Sequence, residues 1–193
     1  LLNEYEKVAN GHPKDDPRYK ESFYFIGDTY NNGTEVIEDM QGNDPKISWK
    51  KYQRIYKAET EEQRSGINMR VIRYTEVLLN LAECENATSN DADAIDLLNE
   101  VRSRKGIEMP PYPTAKYPVN SPEEVFRAIV HERRVELAGE QIRNRDILRW
   151  RRLGKLSTEP ISYFTDRHAL APIPQQEIDS NAALTQADQN PGY

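Results

Sequence analysis

Apolar residues recur at helical spacing through the second part of the chain, from Asn68 onward. The segment "NMRVIRYTEVLLNLAECE" has a polar stripe on one face and an apolar stripe on another. The apolar stripe consists of Val71, Tyr74, Leu78, Leu81 and Ala82. In "DADAIDLLNEVRSRKG" the apolar residues at i, i+3, i+4 and i+7 are Ala94, Leu97, Leu98 and Val101. Gly106 then favours a stop, so the pattern predicts a helical hairpin, which needs a stacked neighbour to bury its apolar faces.

Two more helices are predicted after a proline-rich connector, "MPPYPTAKYPVN". Ser121, Pro122 and Glu124 are typical of a helix start, as N-cap, first-turn proline and capping-box glutamate. The apolar stripe of this helix consists of Phe126, Ile129, Val130 and Leu137. After Gly139, "QIRNRDILRWRRLG" predicts a fourth helix that ends near Gly154. The four helices do not repeat at one sharp period. The predicted fold is therefore mainly α, with tetratricopeptide-like helical hairpins (an alpha-alpha superhelix) and long irregular segments.

Residues 1–66 have a different texture, irregular and rich in aromatic rings. Within "FYFIGDTYNNGTEVI", β-prone flanks surround Asn32-Gly33, a dipeptide suited to a tight turn, so the sequence favours one short β-hairpin there. The region after the fourth helix is mostly irregular. In it, Pro172-Ile173-Pro174 favours an extended segment and "PQQEI" favours one short helical turn. We therefore divide the chain into residues 1–66, an aromatic-rich segment, and residues 67–193, a helical region.

Charged residues fall on the core side of the third predicted helix. Arg133 lies on its apolar stripe, where a charge must be paired and hydrogen-bonded. The fourth helix offers partners of both signs, so we expect an ion-pair clamp that locks the two helices in register. The clamp residues are Glu132, Arg133, Arg134, Glu136, Arg145, Asp146, Arg149 and Trp150, whose ring packs against the charges. The alternative is a catalytic acid–base pair, which requires divergent pKa values, whereas flanking arginines would keep both carboxylates ionised.

Charge and motifs exclude several kinds of chemistry. The 26 basic against 32 acidic residues give a net charge of −6, which argues against nucleic-acid binding. The three histidines are scattered, and Val135 stands where the zinc motif His-Glu-x-x-His requires its second histidine, so we expect no metal site. Neither a glycine-rich phosphate loop nor a Gly-x-Ser-x-Gly elbow occurs, and arginines flank the carboxylate clusters, so we expect no catalytic centre. The single cysteine, Cys84, excludes an internal disulfide and is interpreted as a packing residue.

The aromatic residues of the first segment indicate a different kind of site. Sugars present C–H faces that stack on Trp and Tyr rings, while asparagine side chains hydrogen-bond the hydroxyl groups. The candidate glycan-binding residues on this basis are Trp49, Tyr24, Tyr30 and Tyr52, with Asn31, Asn32 and Asn43 nearby. The alternative interpretation is that most of these rings cover a small core, since buried aromatic residues usually serve packing.

Five ordered motifs resemble the carboxy-terminal part of the SusD/RagB family. They are "VIRYTEVLLNLAECEN", "AIDLLNEVRSRKGI", "IVHERRVELAGEQIRNRDILRW", "LAPIPQQEIDSN" and "QNPGY". The resemblance is close after residue 67 and looser before it, where "DPR" at residues 16–18 is similar to a turn of the family. The chain departs from the family pattern at residues 138–141, where an aromatic-glutamate-glycine run is common, and at Arg145, where an aromatic residue is frequent.

The resemblance implies a non-enzymatic, lipid-anchored binding protein on the outer face of a Gram-negative outer membrane. Such proteins bind glycans, in some cases peptides, and deliver them to a SusC-like TonB-dependent transporter, without a cofactor. Their only membrane contact is an N-terminal lipid anchor. The chain begins "LLNEYEKVAN", with neither an initiator Met nor a signal, so we expect a longer protein whose N-terminal part is absent here. The family's ring platform lies mostly upstream, so its binding residues do not transfer by motif.

Two functions of other classes stay open at this point. One is a helical-repeat adaptor that binds a protein or peptide partner in a concave face. The other is a hydrolase that uses paired carboxylates. An isolated piece of a repeat protein is also expected to expose an apolar patch where further repeats would dock.

Overall fold

The computed structural model of the protein describes residues 4–6, 15–30, 33–38, 47–52, 68, 70–156 and 164–193. The chain forms two compact units, Leu1–Ile142 and Arg143–Tyr193. The described helices of the first unit are α1 (Arg18–Ser22), α2 (Tyr74–Ala87), α3 (Asp91–Ser103) and α4 (Pro122–Glu136). The predicted mainly α fold is confirmed, and the predicted division at residue 66 stays a prediction.

Helices α2 and α3 form the predicted helical hairpin, joined by residues 88–90. Asn86, at the end of α2, is buried and its amide nitrogen makes two hydrogen bonds. One goes to the Asp91 carboxylate at 2.7 Å, and the other to the Pro122 carbonyl at 3.0 Å. A single buried amide therefore ties the end of α2 to the starts of α3 and α4.

Helix α4 begins as the sequence predicts, with Ser121 as N-cap. The Ser121 hydroxyl accepts a hydrogen bond from the backbone N–H of Glu124 at 3.3 Å. In a capping box the Glu124 carboxylate would accept from the backbone N–H of the N-cap residue, Ser121. Here it accepts instead from the N–H of the preceding residue, Asn120, at 2.7 Å. Both carboxylates of the first turn, Glu123 and Glu124, also favour the positive end of the helix dipole.

Helices α2, α3 and α4 pack around one apolar core. Its fully or nearly fully buried members include Leu79, Ala82, Ala94, Leu98, Val101, Val125, Ala128 and Ile129. The stripe predicted for α3 faces this core, whereas the other two stripes face it in part: Leu78 and Ala82 of α2, and Ile129 and Leu137 of the α4 stripe, belong to the core. Val71 precedes the helix and Tyr74 and Leu81 are exposed, while Leu79 takes the buried position.

Two short antiparallel ladders lie in the first segment. Strand β2 (Thr29–Tyr30) pairs with β3 (Glu35–Val36), which is the predicted hairpin. Gly33 has a φ of +84°, as the turn requires, while Asn32 lies outside the described residues. The second ladder joins β1 (Phe23–Phe25) to β4 (Ile47–Trp49), with Phe23 opposite Trp49. A small cluster of Tyr5, Phe23 and Val135 joins this segment to α4.

The second unit contains α5 (Arg143–Arg152) and α6 (Gln175–Ser180) among its described residues. Helix α6 matches the predicted short turn. The extended segment before it is held by Gln189, whose side-chain amide accepts from the Ile173 N–H and donates to the Ile173 carbonyl, both at 2.8 Å. Across the described residues, no helix combines the length and the apolar character that a bilayer crossing requires.

Candidate ligand-binding site

Two glutamates one turn apart on α4 are the centre of a buried charged network. Glu132 is 0% exposed and accepts from the Arg18 guanidinium, from Arg102 Nη1 at 3.1 Å and from the Tyr112 hydroxyl at 2.9 Å. Burial alone would raise the pKa of Glu132, but the charges of Arg18 and Arg102 outweigh it and lower that pKa. The carboxylate is therefore held ionised inside the protein.

Glu136 lies on the same face of α4 and contacts three guanidinium groups. Its carboxylate is 2.6 Å from Arg104, 2.7 Å from Arg73 and 3.3 Å from Arg18. Burial opposes ionisation here too, yet Arg104, Arg18 and Arg73 together lower the pKa of Glu136 from 4.5 to about 2. Arg18 contacts both glutamates and so joins the two ion-pair groups into one network.

The Asp-Pro-Arg turn at residues 16–18 positions Arg18. Asp16 is fully buried and accepts from the Arg18 backbone N–H at 3.0 Å, from its Nε at 2.9 Å and from its Nη2 at 2.7 Å. These contacts leave Nη1 directed at Glu132 and Glu136. A two-pronged bond of this kind fixes the plane of the guanidinium as well as its charge.

Further cations cover the carboxyl-terminal end of α4. Lys51 Nζ donates to the Glu136 carbonyl at 2.8 Å and to the Glu140 carboxylate at 2.7 Å. Arg73 donates to the same carbonyl at 2.8 Å and to both oxygens of Glu140. Two cations thus bind a helix end whose carbonyl groups carry partial negative charge.

Two glutamates near the amino terminus, Glu4 and Glu6, also contact residues of the network and of α4. Buried His131 stacks on Tyr117 with ring centroids 4.4 Å apart, and its Nε2 is 3.2 Å from Glu6. Arg102 binds Glu6 at 3.0 Å, and Arg134 binds Glu4 at 2.8 Å. Burial lowers the pKa of His131, but the carboxylates of Glu4 and Glu6 raise it more, so the net shift is upward.

An open pocket of about 500 Å³ lies beside Glu136. Its cationic lining residues are Arg18, Lys50, Lys51, Arg70, Arg73 and Arg104. Its acidic lining residues are Glu21, Glu136 and Glu140. The described lining residues thus carry six positive and three negative charges, a net +3, in a chain whose net charge is −6. The volume falls within the range of about 300–1,000 Å³ typical of ligand pockets.

Of the four candidate glycan-binding residues, Tyr52 lines this pocket. Tyr52 is 38% exposed and has a φ of +64°. Trp49 is 43% exposed, stacks on Phe23 with centroids 4.7 Å apart and lies against Gly139. Tyr24 is buried on the opposite face of the same ladder, because residues alternate along a strand, and Tyr30 lies in the other ladder. These rings therefore do not form one platform.

The residues predicted as a clamp have several kinds of partner. Arg133 donates to the Asn80 side chain at 2.6 Å, and within α5 Asp146 binds Arg149 at 3.1 Å. Arg149 and Arg143 each lie 5.5 Å from the Trp150 ring, and Arg145 is exposed. The clamp between α4 and α5 stays a prediction.

The partners of Glu132 and Glu136 in α3 and the first segment were missed by sequence reasoning. Arg102 could have been found, because it lies one turn after Leu98 on the apolar stripe of α3 and is itself 0% exposed. Arg18 carries a weaker signal, the Asp-Pro-Arg turn. No local pattern marks Arg73 or Arg104 as a partner of Glu136.

The described residues also bear on the predictions about metal ions, Cys84 and acid–base chemistry. Among them, no group of three or more His, Cys, Asp or Glu side chains could hold a metal ion. The interpretation of Cys84 as a packing residue was wrong, since its side chain is exposed on α2. Both network glutamates have lowered pKa values, so they lack the divergence that an acid–base pair requires.

Comparison with known proteins identifies similar chains. The SusD family model matches residues 3–166. "SusD-like protein P25" of Formosa agariphila is 32% identical over 145 residues, covering 65% of this chain and 25% of that protein. "SusD-like protein P2" of the same organism is 32% identical over 170 residues, covering 82% of this chain and 32% of that protein. The chain therefore spans a quarter to a third of the length of these curated relatives.

A solved structure shares the fold. The crystal structure of a SusD-like protein from Bacteroides fragilis superposes with a TM-score of 0.67 at 22% sequence identity. The match covers 94% of this chain and 39% of that one. The predicted tetratricopeptide-like arrangement of helical hairpins is confirmed by this likeness.

Proposed function

Because this chain belongs to the SusD family, we propose that it binds extracellular nutrients, glycans above all, at the cell-surface side of an outer membrane. From there it delivers them to a SusC-like TonB-dependent transporter. In this proposal the whole protein contacts the membrane through an N-terminal lipid anchor. The observation that carries the proposal is the family match over residues 3–166, which includes the charged network and the pocket.

The pocket supports binding without turnover. SusD-like proteins are generally non-catalytic binding proteins. In this chain, arginines hold Glu132 and Glu136 ionised, so neither is poised to donate a proton to a leaving group near neutral pH. Two cations of the wall, Arg73 and Lys51, are bound to carboxylates and to the end of α4, which gives this part of the wall fixed hydrogen-bond donors.

A glycan array with the purified protein tests the proposal. We expect capture of at least one glycan with no released sugar in a parallel digestion followed by chromatography. Tyr52→Ala should weaken that binding about fivefold, since a stacked ring on a sugar contributes on the order of 1 kcal/mol. The matched control is Tyr193→Ala, because Tyr193 is 42% exposed and does not line the pocket. Sugar release, or equal effects of both variants, contradicts the proposal.

A helical-repeat adaptor is the second candidate, and one observation favours it. Helix α2 and the residues before it expose a run of apolar side chains, with Val71 at 84%, Tyr74 at 68% and Val77 at 46% exposure. Exposed apolar patches of this kind commonly mark protein interfaces. Binding to a peptide array but to no glycan would select this candidate.

A further inference from the structure

The cationic side chains of the pocket wall differ in whether a neighbouring carboxylate already neutralises their charge. Arg18 is paired with Asp16 and Glu132, which lie outside the wall. Arg73 and Arg104 are bound to Glu136, which lies on the wall. Leaving out Arg18, the described lining residues are five cations and three carboxylates, a net charge of +2.

The unmatched charge is concentrated in Lys50 and Arg70. Among the described residues, the carboxylate nearest to Lys50 is Glu21 at 3.6 Å, whose side chain is 70% exposed, and an exposed pair of this kind is weak. Arg70 is exposed and has no carboxylate within ion-pair distance in the described part of the chain. Lys50 Nζ also donates to the Lys20 carbonyl at 3.1 Å, but among the described residues neither cation is matched by a buried carboxylate.

A ring and cations are adjacent along the chain at this wall. Tyr52 follows Lys50 and Lys51 directly, and all three line the pocket. Burial lowers the pKa of Lys51, although Glu140 partly opposes the shift, so a further negative charge nearby would favour its protonated form. A sugar stacked on the Tyr52 ring would bring its substituents toward these ammonium groups.

We propose that the pocket binds an acidic glycan, one whose sugars carry carboxylate or sulfate groups, through Lys50, Arg70 and the Tyr52 ring. This inference rests on the proposed function and narrows its ligand class. A neutral sugar that covered Lys50 and Arg70 would remove water from both charges without replacing it by an anion, which is unfavourable. An acidic sugar supplies the missing counter-charge in the same volume.

Calorimetric titration of the purified protein with three oligosaccharides of equal length tests the inference. The probes are an oligogalacturonate, a sulfated galactan oligosaccharide and a neutral galactan oligosaccharide. We expect at least one acidic probe to bind about tenfold or more tightly than the neutral one. Raising NaCl from about 0.05 M to about 0.5 M should reduce that preference, because salt screens exposed charges. The two acidic arms distinguish a carboxylate from a sulfate ligand.

Variants separate the charge from the fold. Lys50→Gln and Arg70→Gln should each weaken the acidic probe about fivefold or more and leave the neutral probe unchanged. Arg127→Gln is the control, because Arg127 is exposed on α4 and does not line the pocket. Equal binding of neutral and acidic probes, or inorganic sulfate binding as tightly as the sulfated glycan, overturns the acidic-glycan inference alone. If none of the three probes binds, the acidic-glycan inference fails, and the glycan array decides the proposed function separately.

Discussion

Replacing Glu132 by glutamine removes the most enclosed negative charge of the network and keeps its shape. Glu132 is 0% exposed and contacts Arg18, Arg102 and Tyr112. In Glu132→Gln, Arg18 keeps its contacts with Asp16 and Glu136, and Arg102 keeps its contact with Glu6. Both arginines lose the buried carboxylate that they share. Removing one partner from a buried ionic network costs about 3–5 kcal/mol, because the remaining buried positive charges lose a counter-charge. That is a large share of a typical stability of about 5–15 kcal/mol.

Urea unfolding followed by circular dichroism measures this cost. With a slope of about 2 kcal/mol per molar, a loss of about 4 kcal/mol lowers the midpoint by about 2 M. The control is Glu123→Gln, since Glu123 is exposed on the same helix, and its effect should stay within about 0.5 kcal/mol. A loss below about 1 kcal/mol in Glu132→Gln would refute the reasoning.

A milder variant tests the same network if Glu132→Gln does not fold. Tyr112→Phe deletes one hydrogen bond to Glu132, from a hydroxyl 2.9 Å away, and leaves both guanidinium contacts in place. A hydrogen bond to a charged group contributes about 1.5–3 kcal/mol, so the loss should lie in that range. No measurable loss would show that the Tyr112 hydroxyl is not needed to hold the carboxylate.

Three further outcomes follow from the charges and from one glycine. The pKa of Glu136 is lowered from 4.5 to about 2, so its contribution is complete above pH 4.5 and is lost as the pH falls toward 2. Urea unfolding across that window should show a flatter decline for Glu136→Gln than for the wild type. The pKa of His131 is raised above 6.5, so its stabilisation is complete below pH 6.5 and is lost as the pH rises through the raised value. A His131→Gln variant with the same stability slope as the wild type above pH 6.5 would contradict this. Gly139→Ala places a Cβ 2.9 Å from the Trp49 ring at a φ of +78°, whereas Gly106→Ala at a φ of +89° meets no atom within 4 Å. The first variant should therefore lose about 1–3 kcal/mol more than the second and shift the tryptophan emission, as thermal unfolding and fluorescence would record.

Local patterns in the sequence were sufficient to predict most of the helices. The cap at Ser121 and the spacing of Ala94, Leu98 and Val101 depend on neighbours within two turns, and such signals predicted the starts and faces of α3 and α4. The face of α2 was predicted only in part, because apolar residues occur on both sides of that helix: Leu78 and Ala82 are buried as predicted, whereas Tyr74 and Leu81 are exposed. Which side is buried depends on α3 and α4, and the exposed Leu81 shows that hydrophobicity alone did not decide it.

The sequence predicted that α4 carries paired charges, but it did not predict which residues pair with them. A charged residue on an apolar stripe must be paired, and this argument marked Glu132, Glu136 and Arg134, which have charged partners, together with Arg133, which donates to the neutral side chain of Asn80. It could not name those partners, since Arg18 and Arg73 contact Glu136 across 118 and 63 residues of sequence. The pocket shares this difficulty, because its wall combines residues near 20, 50, 70, 104 and 140 that meet only in the folded chain.

The contact between Arg18 and Glu132 also has a kinetic consequence. It closes a loop of 114 residues, and contacts of such long range form late because chain entropy must be overcome before they are made. Interactions that are absent from the folding transition state act mainly on the unfolding rate. The α2–α3 hairpin, whose contacts are local, is expected to form first, and the ionic network then closes over it. Variants of the network should therefore shorten the lifetime of the folded chain while leaving its folding rate nearly unchanged.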